Sequence, residues 1–178
     1  MKKIIKYCLL VVMLAICGCS VEENTVNVER PIKEIEVVNP KKANTAEKKI
    51  LLISQETSVL TSLNQIIVDR IDVNVMEVDQ VNQDIINQYD VILLGDAPVN
   101  NQPSEAVLTF LNSYNLSKLS ISPYWVGAMN NEEYEVNFRL QCQGINLLPG
   151  LGLNEDELSM IEEVTYIVDG WLTSVNTL

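Results

Sequence analysis

The sequence predicts an α/β domain, a three-layer sandwich with a five-stranded parallel sheet between helices on both faces. Three observations predict it. From Lys49 onward, short aliphatic runs alternate with longer segments whose apolar residues recur every three or four positions. The runs Ile50-Leu51-Leu52-Ile53 and Val91-Ile92-Leu93-Leu94 are continuously apolar, as strands buried on both sides must be. Finally, the alternation repeats five times within about 130 residues, which suits strands joined by crossover helices.

The elements follow in order. Ile50 to Ile53 form the first strand. Val59, Leu60, Leu63, Ile66 and Ile67 then line one face of a helix. Val73, Val75 and Glu77 mark a second strand, and Val81, Ile85 and Ile86 a short second helix. Val91 to Leu94 form the third strand. Pro103 opens a third helix carrying Val107, Leu108, Leu111 and Tyr114. Leu119 to Ser122 make the fourth strand, and Glu132 to Leu140 a weaker fourth helix. Ile145 to Leu153 make a fifth strand, interrupted by Pro149 and Gly150. The last helix starts at Asn154, with Glu157 three residues on as a capping box, and turns Leu158, Ile161, Val164, Val168, Trp171, Leu172 and Val175 inward.

Ahead of this domain the chain changes character. Lys2, Lys3 and Lys6 precede an apolar run from Tyr7 to Ile16, too short for a membrane-spanning helix, which needs about 20 residues. Residues 1–18 therefore read as a signal peptide. Ile16-Cys17-Gly18-Cys19 resembles the bacterial lipobox, which implies that Cys19 becomes the diacylated N-terminus and fixes the protein to the outer side of the cell membrane. Two acyl chains give stable attachment where one does not. Residues 19–47 are polar, with Pro31 and Pro40, and read as a flexible tether; residues 48–178 are the domain. With Cys8 and Cys17 removed and Cys19 acylated, Cys142 is the lone thiol of the body, a small buried hydrophobe that forms no internal disulfide.

Composition removes several classes of function. The 178 residues contain 24 Asp plus Glu, 12 Lys plus Arg and no His. Without histidine there is no Ser-His or Cys-His nucleophile pair. The net charge of -12 becomes -15 once Lys2, Lys3 and Lys6 leave with the leader, so nucleic acid is excluded as a partner. The clusters Glu132-Glu133, Glu155-Asp156-Glu157 and Glu162-Glu163 lack the ligand spacing of a calcium loop and suit helix N-termini, and no metal site is expected.

The segment Tyr89-Asp90-Val91-Ile92-Leu93-Leu94-Gly95, followed by Pro98 and by Thr109-Phe110-Leu111-Asn112-Ser113-Tyr114, resembles the third strand, flavin-contacting loop and next helix of the short-chain flavodoxins. Lys49 to Ser54 resembles their first strand. Gly144 to Leu151 and the helix ending Trp171-Leu172 resemble their fifth strand and last helix. The resemblance spans the domain and implies a flavodoxin-like fold with FMN at three loops. It places the phosphate at Ser54, Thr57 and Ser58, and the flavin ring against Pro98, Val99, Asn100, Tyr124, Trp125 and Gly127.

These loops also depart from the family. Ser54-Gln55-Glu56-Thr57-Ser58 has no glycine, and Glu56 at about 5 Å from a unit anion costs roughly 3 kcal/mol at an effective dielectric of 20. Thr57 or Ser58 serves equally as a helix N-cap. Trp125 serves equally as core packing. Two functions follow. One is FMN binding and electron transfer, docking on a basic redox partner; the other is a flavodoxin-fold module that has lost FMN and recognises an envelope protein or small ligand. A third reading, an enzyme on this scaffold such as a quinone reductase, would still require flavin; an electron carrier or non-enzymatic module is expected over an enzyme, and a monomer.

Overall fold

The computed structural model describes residues 48–176. The leader (1–18), Cys19, the tether (19–47) and residues 177–178 lie outside the described residues. The elements run β1 (Ile50–Ser54), α1 (Ser58–Val68), β2 (Asn74–Glu77), α2 (Gln83–Ile86), β3 (Val91–Asp96), α3 (Glu105–Ser113), β4 (Ser120–Val126), α4 (Asn131–Gln141), β5 (Asn146–Leu147), β6 (Leu151–Leu153), α5 (Glu155–Ser159) and α6 (Ile161–Asn176).

All strand pairs are parallel, in the order β2-β1-β3-β4 with β5 and β6 sharing the place beyond β4. The side-chain period of two divides the central strands between two cores. Leu52 and Leu93 pack under α1 and α6, together with Leu60, Leu63, Val164, Val168 and Trp171. Leu51, Ile53, Ile92 and Leu94 pack on the other face against Ile86 of α2, Phe110 of α3 and Phe138 of α4. The expected sandwich with helices on both faces is thus formed.

Two expectations are corrected. β4 does not stop at Ser122 but continues through Pro123 to Val126, and Leu94 pairs with Pro123. A central strand normally rejects proline because a ladder N–H is lost. Here Pro123 lies opposite the gap between β5 and β6, at Pro149-Gly150, where no ladder bond is missed. The last helix is not continuous: it breaks at Met160, whose ψ of 73° leaves the helical region. The break resets the helical phase, so Ile161 stands 68% exposed instead of packing inward. The capping box at Asn154 and Glu157 forms as expected, on α5.

Candidate functional site

In a sheet of this order the chain leaves β1 toward one edge and β3 toward the other, so the crevice between their carboxyl ends is the switch point where ligands bind. Three loops meet around it: Gln55-Glu56-Thr57 after β1, Ala97 to Ser104 after β3, and Gly127 to Asn130 after β4.

The first loop is short and carries α1 directly. Thr57 is the N-cap, its Oγ1 accepting from the Leu60 N–H at 3.3 Å. Ser54 is buried, and its Oγ accepts from Asn64 Nδ2 at 2.7 Å. Both hydroxyls thus serve the chain itself. Ser58 is exposed at the first position of α1, where N–H groups have no partner within the helix, and Glu56 points into solvent. Positive φ among the described residues falls at Asn100, Asn101, Gly127 and Gly144. None is in this loop, so its backbone does not form the alternating nest that wraps an anion.

The second loop contains a feature not foreseen. Val99 and Gln102 exchange two backbone hydrogen bonds, 3.1 and 3.0 Å, around Asn100 (φ 51°) and Asn101 (φ 57°). This is a two-residue hairpin of the type that needs φ > 0 at both centres, which asparagine tolerates. Asn101 points inward, donating to Glu133 at 2.9 Å and accepting from the Asn130 N–H at 2.9 Å, so the hairpin is tied to the start of α4. Asn100 is exposed, Pro98 is half-buried and Val99 is 63% exposed. Met129, which precedes the Asn130 bonded to Asn101, is 77% exposed.

The β4 side departs most from expectation. Tyr124 and Trp125 lie within the strand, not on a rim loop, and both are buried. The Tyr124 ring lies where a Cβ on Gly95 would fall, and its hydroxyl donates to Asn64. Trp125 lies over Gly150 and Gly152, packs tilted against Tyr134 with ring centroids 4.6 Å apart and donates from Nε1 to Asn131 at 2.8 Å. Neither ring has a face for a flavin, because the extension of β4 draws both into the cores. Gly127 follows with φ +92°, which a side chain rarely adopts, and turns the chain out of β4.

Beneath the loops lies a polar network that the sequence did not single out. Asp96, the last residue of β3, is wholly buried. Its Oδ1 accepts from Gln55 Nε2 at 3.0 Å, and its Oδ2 accepts from the Ser104 N–H at 3.1 Å and the Tyr134 hydroxyl at 2.7 Å. Gln55 also donates to the Ser104 hydroxyl, which caps α3. Burial and the Asp96 carboxylate both hold the Tyr134 phenol well above its ordinary range. An acid ending a continuous apolar strand was the available signal for this centre.

The electrostatics of the two sheet edges differ. The cations among the described residues are Lys48, Lys49, Arg70, Lys118 and Arg139, all at strand starts or helix ends. The carboxyl edge instead carries Glu56, Glu77, Asp79, Glu105, Glu132, Glu133 and Glu155 to Glu157, and none of those cations. The acids in the first turns of α3, α4 and α5 complement the helix dipoles. Cys142 is buried at the far end of α4, and burial, partly offset by Arg139, pushes its thiol up to about 12.

No protein-family model matches the sequence, and no curated protein sequence matches it. Solved structures do. General stress protein 14 of Treponema denticola, in complex with FMN, aligns with a TM-score of 0.54 and 13% identity over 71% of this chain and 97% of its own. A flavoprotein of Lactobacillus acidophilus, in complex with FMN, aligns with a TM-score of 0.50 and 16% identity over 64% and 98%. Oxidised flavodoxin 2 of Bacillus cereus aligns with a TM-score of 0.50 and 17% identity over 68% and 98%. At such identities the likeness carries the architecture, and with the strand order it establishes that this chain has the flavodoxin-like α/β fold.

Proposed function

We propose that the protein is an extracytoplasmic, lipid-anchored flavodoxin-fold protein that binds FMN at the carboxyl edge and passes electrons to a basic partner. The observation that carries this reading is the juxtaposition, across the switch point, of the exposed start of α1 and the β3–α3 hairpin with its exposed Val99. The structural neighbours solved with FMN support it. Ser58 and the first N–H groups of α1 would hold the phosphate, and Pro98, Val99 and Asn100 would lie against the ring. Ser54, Thr57, Tyr124 and Trp125 are committed elsewhere, so the site is reduced and the affinity low. When bound, the flavin supplies the redox chemistry, and the protein supplies orientation and the surrounding field. Val99 and Met129, within the acidic edge, suit a partner with Lys or Arg around an apolar patch.

The second reading, a binding module without flavin, is favoured by the Gln55–Asp96–Ser104 network, whose polar groups satisfy one another. Titrating the mature chain into FMN separates the two. Quenched flavin fluorescence is the expected result, and its absence at the highest soluble protein concentration overturns the flavin reading. Anchoring is tested separately: Cys19→Ser should move the protein from the membrane fraction to the aqueous one, and unchanged partitioning refutes lipidation at Cys19.

A further inference from the structure

We infer that Gln55 is a built-in latch that closes the switch-point crevice and sets the affinity of whatever ring system enters it. The inference rests on the flavin reading for the identity of its probe.

The argument is geometric. A ligand at a switch point sits between the loops that follow β1 and β3. Gln55 belongs to the first of these loops, and its side chain crosses to Asp96 at the end of β3. There it donates to Asp96 at 3.0 Å and to the N-cap hydroxyl of α3. The two loops that must stand apart around a ring are therefore stitched together below it. Asp96 is wholly buried and Ser104 is nearly so, so the stitch lies in a low-dielectric setting where an ionic hydrogen bond is strongest.

Entry of a ring to this depth breaks both bonds. Removing the amide leaves Asp96 Oδ1 and the Ser104 hydroxyl facing the crevice, where they can accept from a ring N–H. The latch acts on the ring and not on the phosphate, because its side-chain partners belong to the end of β3 and the cap of α3 and not to the first turn of α1.

The test is a fluorescence titration of FMN and of riboflavin, which lacks the phosphate, with the mature chain and with Gln55→Gly and Gln55→Ala, each checked for native circular dichroism. Both variants should bind both flavins at least tenfold more tightly than the unaltered chain, a tenfold change being about 1.4 kcal/mol. If the unaltered chain binds flavin and the variants bind no tighter, or tighter for FMN alone, the latch is overturned while the flavin reading stands. Tight binding by the variants with none by the unaltered chain supports the latch and overturns the flavin reading. No binding by any form overturns both. On the unaltered chain, the Gln55 side-chain amide resonances should shift when flavin is added, and binding that leaves them unmoved also overturns the latch.

Discussion

Replacing Tyr134 by Phe removes one donor from Asp96 and little else. The ring is wholly buried against Trp125 at 4.6 Å and Phe138 at 6.0 Å, and those contacts survive the change. What is lost is the 2.7 Å bond to Asp96 Oδ2, which keeps only the Ser104 N–H at 3.1 Å. A hydrogen bond to a charged group contributes about 1.5–3 kcal/mol, so Tyr134→Phe should cost about 2 kcal/mol. Tyr124→Phe is the internal control. Its hydroxyl is as deeply buried but donates to a neutral amide, that of Asn64, and its loss should cost about 1 kcal/mol. Urea unfolding of both variants at neutral pH, with unchanged m-values, reads the two costs directly. A double-mutant cycle with Asp96→Asn then isolates the pair, and Tyr134→Phe should cost less when Asp96 has already been replaced. Equal costs for the two tyrosines, or a loss below about 0.5 kcal/mol for Tyr134→Phe, would refute the view that Asp96 is a charged centre held by this hydroxyl.

Four further outcomes are expected. A Cβ on Gly152 would fall 2.5 Å from the Trp125 indole, which is held by Tyr134 and Asn131, so Gly152→Ala should destabilise by about 1–3 kcal/mol. Gly170→Ala, in the interior of α6 with open space around it, should instead stabilise by about 0.5–1 kcal/mol in the same urea assay. Alkaline pH should unfold the domain, because Cys142, Tyr124 and Tyr134 are all held protonated above their ordinary values, chiefly by burial. For groups raised on folding, the stabilisation is complete below the unfolded-state pKa and is lost as pH rises. Each therefore removes up to about 1.4 kcal/mol per pH unit, Cys142 from about pH 9 and the tyrosines from about pH 10. Thermal unfolding between those values should flatten in Cys142→Ala, and an unchanged slope would exclude the thiol as its source.

The sequence made the sheet legible because burial on both faces leaves little choice of residue: Ile50 to Ile53 and Val91 to Leu94 could only be central strands. The helix caps were equally readable, since Thr57 and the Asn154–Glu157 pair use their side chains on the nearest backbone. The site was less legible, because its residues act at long range. Gln55 and Asp96 are 41 positions apart, and nothing local to either says where its side chain points. Pro123 lies inside β4, past the expected strand end at Ser122, for a specific reason. Its missing N–H marks the end of a strand unless the neighbouring strand is broken at the same level, as it is between β5 and β6. Tyr124 and Trp125, expected at a rim, were carried into the cores by that extra length of strand.

The charge distribution gives the flavin reading its strictest test. On that reading the phosphate of FMN would approach an edge lined by Glu56, Glu105, Glu132 and Glu133, where the dipoles of α3 and α4 are already matched by Glu105, Glu132 and Glu133 and only that of α1 has no acid in its first turn. The approach is therefore repulsive at long range and attractive only at the first turn of α1. Screening separates the two, since the Debye length shrinks from about 30 Å at 0.01 M salt to about 8 Å at 0.15 M. Raising the salt between those values would remove the distant repulsion and leave the contacts proposed at Ser58. FMN should then bind more tightly as salt rises, the reverse of an ordinary phosphate site built from Lys and Arg, whereas riboflavin should show no salt dependence. The comparison uses one protein and two ligands that differ only in the phosphate. FMN affinity that falls with salt would mean that the phosphate meets net positive potential, and the contact would have to lie at the other edge of the sheet, where Lys48, Lys49, Lys118 and Arg139 stand.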